Sequence, residues 1–254
     1  MPAEAPAGGL AAAVRGRGRR LVLVHGFTQT ARSWDALADR LAADHEIVAV
    51  DAPGHGDSAA IEADLPAGAV RLGVTGGRAT YLGYSMGGRL CLHLAVARPD
   101  LVDRLVLVSA TAGIDDPGER QARRAADDAL ASSMERDGLD VFLQRWVAQP
   151  MFAGLRDPDL DDRRRNTVTG LAASLRRAGA GTQEPLWPRL HDVAIPVLLV
   201  AGTDDPKFVA AAERMADLLP CPTLSVVDDA GHAVHLERPA EFLEVLHRWL
   251  AATS

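Results

Sequence analysis

The sequence predicts an α/β protein: a mostly parallel sheet flanked by helices on both faces, with an all-helical insertion above the sheet's C-terminal edge. Three observations carry this. Short apolar runs alternate with segments of helical periodicity in the first 110 residues and again from Ile195 to about Ala251, the crossover pattern that parallel strands require. Between those blocks, residues 113–189 hold no strand-like apolar run and carry many Arg and Asp. Finally, Gly83-Tyr84-Ser85-Met86-Gly87 stands between an extended run, Arg78 to Leu82, and an apolar helical run, Leu90 to Ala97.

The bulk numbers suit that fold. A chain of 254 residues with 48% hydrophobic and 24% charged content is long enough for one well-buried domain with an insertion. Its formal net charge of −7 gives no field to attract nucleic acid or an anionic membrane, so an acidic substrate must be held by locally placed arginines. The expected partner is a small molecule, and the expected assembly a monomer or weak homo-oligomer. Two cysteines, Cys91 and Cys221, do not make a disulfide scaffold and fit a reducing cytoplasm. Met1 to Gly9 is small and Pro-rich without a basic start and apolar core, and nowhere do eighteen apolar residues run together.

Taken in order, Leu10 to Val14 and Arg19 to Val24 flank the turn-like Arg15-Gly16-Arg17-Gly18, which predicts a hairpin leading into a buried strand ending at His25-Gly26-Phe27. Ser33 is a candidate N-cap for a helix reaching Ala43, and Glu46 to Val50 is the next strand. From Ala59 to Gly77 the chain is poor in helical signal, with Pro66 and four glycines, and a short or irregular crossover is expected. Arg98-Pro99-Asp100 stops the helix after the pentapeptide, and Arg104 to Ser109 is a strand. The insertion reads as several short helices. Strands resume at Ile195 to Ala201 and Thr223 to Val227, separated by a helix from Lys207 to Leu218, and Pro239 opens a closing helix. Residues 1–112 and 190–254 thus form a core, and residues 113–189 a helical cap.

A serine on a strand-to-helix elbow becomes a nucleophile when a histidine takes its proton and a carboxylate fixes the histidine's tautomer. His232 follows Asp228-Asp229-Ala230-Gly231 after a late strand and is the candidate base; His235 lacks a preceding glycine. Asp204 and Asp205 both follow Gly202-Thr203 and compete for the acid role, spacing from Gly202 favouring Asp205. Backbone N–H groups of Met86, directly after the serine, and Phe27 are the candidate oxyanion donors, with His25 bracing the loop. No histidine–carboxylate spacing suggests a metal, and no Gly-rich loop of Walker or Rossmann spacing suggests a nucleotide cofactor.

The chain resembles the α/β-hydrolase superfamily over nearly its whole length. Within it, the chain is similar to the family of menaquinone-pathway synthases that form 2-succinyl-6-hydroxy-2,4-cyclohexadiene-1-carboxylate. The likeness rests on His25-Gly26-Phe27, Asp51 to Gly56, Gly83 to Arg89, Phe142-Leu143 with Trp146 and Gln149 to Phe152, Gly181 to Trp187, Asp205 with Lys207-Phe208, and Gly231-His232. The elbow and the Ser85, Asp205, His232 set belong to the whole superfamily; Arg89, the Trp146 segment, Leu186-Trp187 and Asp205 to Phe208 are narrower signals. The resemblance implies an α/β-hydrolase fold and a reaction that abstracts a proton and eliminates pyruvate from a polycarboxylated cyclohexene, without cofactor.

It also implies that Arg89, Arg123 and Arg163 bind substrate anions, with Arg164 and Arg165 one residue of alignment away, and that Tyr84 and Trp146 line the pocket. Arg123 with Asp127 and Arg124 with Asp128 have the spacing of pairs on a solvated helix, and Trp187 suits packing between cap and core. The segment before the elbow departs from the family's usual shape. Two rival readings are a carboxylesterase or carbon–carbon bond hydrolase with small acyl substrates, and a non-catalytic hydrolase-fold binding protein, against which the intact Ser85, Asp205 and His232 set argues.

Overall fold

The computed structural model describes residues 7–155 and 160–253; the first six residues of the Pro-rich N-terminal stretch and four residues of the insertion lie outside the described residues. Seven strands form one sheet in the order β1-β3-β2-β4-β5-β6-β7. They are β1 (Ala12–Arg15), β2 (Arg19–Val24), β3 (His45–Val50), β4 (Ala79–Tyr84), β5 (Val102–Val108), β6 (Val197–Gly202) and β7 (Pro222–Val227). Every pair is parallel except β1 with β3.

The central strands are near-continuous apolar runs because helices cover both faces. Alternate residues diverge: Val22, Val24, Leu105, Leu107, Val197 and Leu199 enter one core, while Leu21, Leu23, Val106, Val108, Leu198 and Val200 enter the other. Helices α2 (Leu65–Gly76), α3 (Met86–Ala97) and α8 (Pro206–Leu218) cover the first face. Helices α1 (Asp35–Leu41) and α10 (Pro239–Ala252) cover the second, the latter through Phe242, Leu246 and Trp249.

Between β5 and β6 the chain leaves the sheet. It forms α4 (Pro117–Asp137), α5 (Leu139–Val147), α6 (Leu160–Arg163) and α7 (Val168–Ala178), with no strand among the described residues. α4 is a single helix of 21 residues, longer than the short pieces expected, started by the Asp116 side chain accepting from Glu119 N and ended at Gly138. Met134, Phe142, Leu143, Leu171 and Leu175 give these helices an apolar cluster of their own.

Three further expectations need correction. The hairpin does not form, since β1 lies antiparallel on the outer side of β3, pairing Ala12 with Val50 and Arg15 with Ile47. Both edges of β2 are occupied by β3 and β4, and the turn folds instead against the start of β3. A Cβ at Gly16 or Gly18 would lie 2.2 Å from the His45 carbonyl or 2.3 Å from that of Asp44. Val14, half exposed, fits such an edge strand.

Second, Ser33 caps nothing. Thr30 accepts from Arg32 N at the start of a 3₁₀ turn over Ala31–Trp34, and α1 follows, ending at Leu41. Third, residues 65–76 are a regular helix of 12 residues, α2, where a short or irregular crossover was expected; Asp64 caps it through Ala67 N and Pro66 sits in its first turn. The short helix α9 (Val234–Glu237) has no counterpart in the sequence reading.

The glycines of α2 are contact points and not breaks. A Cβ at Gly73 would reach Leu94 and Leu101 at 3.0 Å each, and one at Gly76 would lie 2.4 Å from the Tyr81 hydroxyl, which donates to the Gly77 carbonyl at 2.6 Å. Alanine should gain about 1 kcal/mol of helix propensity there. Overpacking costs typically about 1–3 kcal/mol, and displacing the tyrosine bond adds to it. Gly76→Ala is therefore expected to lower the urea midpoint; a raised midpoint would show that Gly76 is only a helix weakness.

Candidate active site

The C-terminal ends of the parallel strands bring the chemistry together, as open α/β sheets generally do. β4 runs into α3 through Ser85, whose backbone sits at φ 51°, ψ −108°. A non-glycine residue at positive φ is strained by roughly 1–3 kcal/mol. The strain is sustained by Ser85 N donating to the Val108 carbonyl at 2.9 Å and by glycine on either side. A Cβ at Gly83 would lie 2.4 Å from the Gly87 carbonyl, and one at Gly87 2.2 Å from that of Val24. Helix α3 begins at Met86, four residues before the apolar run that marks it in the sequence.

His232, almost wholly buried, stands 3.0 Å by Nε2 from Ser85 Oγ and 2.7 Å by Nδ1 from Asp205 Oδ2. The carboxylate can only accept, so Nδ1 carries the proton and Nε2 accepts from the serine hydroxyl. Asp205 is partly buried at the N-terminus of α8 while Asp204 is exposed, and the geometry joins Asp205 and not its neighbour to the histidine. Phe208 packs edge-on to the imidazole, ring centroids 4.5 Å apart, and limits its rotation.

The loop after β2 supplies the second wall. Gly26 N donates to Gln29 Oε1, Thr28 N to His55 Nε2, Gln29 N to the Gly26 carbonyl and Thr30 N to Asp162, leaving the Phe27 N–H uncommitted among the described residues. His25 bonds backbone with both ring nitrogens, Gly26 O at 2.8 Å and Ala52 N at 3.1 Å, as a brace would. His55, which the sequence reading passed over, bonds Pro53 O and Thr28 N in the same way.

A cavity of about 800 Å³ opens over Ser85, lined by both Phe27 and Met86 and roofed by the helical insertion. Arg89, Arg123 and Arg163 all line it. Arg89 is buried, donating to the Ala178 carbonyl at 2.9 Å; burial, aided by the Arg123 charge and opposed by Asp127, pushes its guanidinium down to about 10. Arg163 is buried and donates to Thr28 Oγ1. Arg164 instead pairs with Asp140 and Asp161 at the surface, and Arg165 borders a separate depression beside β1.

Arg123 meets Asp127 at 2.8 Å, but the companion pair is not made: Arg124 turns to the Gly181 carbonyl and Asp128 to Arg176. Tyr84 and Trp146 line the cavity, whereas Trp187 packs below Arg214 and donates to the Gly113 carbonyl. His235 is buried against Trp34 and Tyr84, and among the described residues its ring nitrogens make no hydrogen bond, to Ser85 and Asp205 included.

The sequence reading missed Lys207 and Arg214 as lining residues. With Ala211 they occupy one face of α8 at i, i+4, i+7, a signal available in the sequence. Phe152, which also lines the cavity beside His232, gave no such signal.

An elbow serine joined to histidine and aspartate from later strand ends defines an α/β hydrolase, and the Alpha/beta hydrolase family pattern matches residues 21–245. The chain belongs to that family. It is 32% identical over 243 residues to the 2-succinyl-6-hydroxy-2,4-cyclohexadiene-1-carboxylate synthase of Serratia proteamaculans, covering 91% of this chain and 92% of that one. A Bacillus subtilis relative provisionally named for the same synthase is 34% identical over 253 residues, covering 91% and 90%. The solved structure of MenH from S. aureus superposes with a TM-score of 0.88 at 27% identity, over 95% of this chain and 98% of that one. No helix among the described residues is long and apolar enough to cross a membrane.

Buried histidines give the site an acid limit. Desolvation pushes His25 and His93 down to about 4 and His55 and His235 to about 3. Unfolded, each titrates near 6.5, so below that pH the unfolded chain binds more protons and stability falls with pH; above it the contribution is fully present. Asp51, raised by burial, acts in the opposite sense. The urea midpoint should fall steadily from about pH 7 to about pH 5, each histidine contributing at most about 1.4 kcal/mol per pH unit. A flat profile would mean that these rings find partners when charged.

Proposed function

We propose that the chain forms 2-succinyl-6-hydroxy-2,4-cyclohexadiene-1-carboxylate, an intermediate of menaquinone biosynthesis, by removing a proton from a cyclohexene precursor and expelling pyruvate. The observation that carries this is the opening of the Ser85–His232–Asp205 chain and of Arg89, Arg123 and Arg163 onto one cavity. A hydrolase for neutral esters needs the first group and not the second.

In this mechanism His232 Nε2 draws the proton of Ser85 Oγ, and the pair takes the proton from the substrate carbon. The carbon–oxygen bond to the pyruvate-bearing group breaks as the ring double bond forms. The departing enol oxygen is protonated from His232, and the enol becomes pyruvate. Asp205 holds the tautomer and stabilises the transient imidazolium. N–H groups of Phe27 and Met86 face the charge that develops on the neighbouring oxygen, each such donor being worth about 3–4 kcal/mol elsewhere. No acyl-enzyme is required.

Asp205→Asn should lower turnover by roughly 10⁴-fold if the protease precedent transfers, through the wrong imidazole tautomer. Asp204→Asn, at an exposed position, should leave it near wild type; the reverse ranking in steady-state assays would reassign the acid.

Supplied with the pyruvate-bearing pathway intermediate, the enzyme is expected to release free pyruvate. A charge-assisted bond from Arg89 to a substrate carboxylate is worth about 1.5–3 kcal/mol, so Arg89→Ala should lose about ten- to a hundredfold in kcat/KM. Slow hydrolysis of a small neutral ester should survive the same change, because it uses only the triad and the two N–H groups. Equal losses on both substrates would make Arg89 structural. Fast ester hydrolysis with no pyruvate at all would replace the synthase by an esterase.

A further inference from the structure

We infer that Glu237 is a positioning residue for His232 and a contact through which the helical insertion bears on the triad; this rests on the reading of His232 as the base. The Glu237 carboxylate accepts from Gly231 N by Oε2 at 2.8 Å and from Ala233 N by Oε1 at 2.9 Å. One side chain thus holds the amides on both sides of His232. Its own backbone N donates to the Ala233 carbonyl at 2.9 Å, closing the segment into a single turn. Arg238, next in sequence, secures the upstream end by donating to the Asp229 carbonyl and carboxylate.

Two glycines make room for this carboxylate. A Cβ at Gly231 would lie 3.0 Å from Oε2, and a Cβ at Gly154, in the insertion, only 1.9 Å from it. Gly154 therefore sits directly against the group that fixes the histidine loop, and any shift of the insertion at this point displaces that group. Residues 228–233 belong to no helix or strand, and the loop's other ties lie upstream of His232, from Asp229 N to Thr203 Oγ1 and from Asp204 N to the Ala230 carbonyl.

Chemistry dictates a carboxylate here. Two converging N–H donors need two acceptor oxygens on one short stem. Glutamine offers one oxygen and turns an NH₂ toward the second donor, and aspartate falls a methylene short. Loosening the clamp moves His232, which must meet Ser85 and Asp205 at once, while the arginines of the cavity stay in place. The loss should fall on kcat.

The test uses the full chain with Glu237→Gln and Gly154→Ala. It reads kcat and KM for pyruvate release, the thermal midpoint, and the low-field ¹H resonance of the His232 Nδ1–H, assigned by its loss in Asp205→Asn. Both variants are expected to lose about ten- to a hundredfold in kcat, with KM within about twofold and the resonance shifted or broadened. Wild-type kcat with an unchanged resonance in folded Glu237→Gln overturns the inference, and so does a resonance that stays unchanged while kcat falls only in step with the thermal midpoint. Should Glu237→Gln fail to fold, Gly154→Ala decides by the same criteria. If the wild type itself releases no pyruvate, the proposed function falls, and the resonance alone settles Glu237.

Discussion

The backbone of Ser85 is the constraint on which the site depends. A serine at φ 51° is out of the helix it introduces and out of the strand it ends, and that places Oγ above the sheet edge, within 3.0 Å of His232. Two contacts hold it there: the hydrogen bond from its N–H to the Val108 carbonyl on the adjacent strand, and the close approach of Gly83 to the Gly87 carbonyl and of Gly87 to that of Val24. The strain of roughly 1–3 kcal/mol is offset by the order of β2, β4 and β5 in the sheet centre. The apolar strands are thus part of the site's geometry: parallel pairing fixes where each strand ends, and the turns after β4, β6 and β7 carry Ser85, Asp205 and His232.

Electrostatics complete the site through where single charges stand, not through an excess of one sign. The chain carries seven excess negative charges, and its cavity gathers five cations, Arg89, Arg123, Arg163, Lys207 and Arg214, among five carboxylates, Asp115, Asp116, Glu119, Asp127 and Asp205. Some of that charge is matched internally, Arg123 by Asp127 and Arg214 by Asp115. Arg89 is the sharpest case, since it donates to the Ala178 carbonyl and burial works against its charge. A substrate carboxylate would relieve that desolvation, which is the physical link between the proposed substrate class and the fold.

Much of this was legible in the sequence because the features are local. Gly-x-Ser-x-Gly between a strand and a helix specifies its own turn, and the distance from Gly202 singled out the aspartate that the structure joins to His232. What failed was non-local or depended on packing. The β1 hairpin was a sound local reading, but β3 lies between its two halves, a pairing set by β2 needing parallel neighbours on both sides. The glycines of α2 read as helix breakers because the sequence does not display Tyr81 and Leu94 standing against them. Lys207 and Arg214 were readable as one face of α8; that this face turns toward the cavity was not.

The central claim is that this triad abstracts a carbon-bound proton and does not hydrolyse an ester. It is tested most directly with pathway intermediate labelled with deuterium at the carbon to be deprotonated, following label and pyruvate in the same reaction. The account predicts one label lost to solvent for every pyruvate released. Pyruvate appearing while the ring product keeps its deuterium would contradict it.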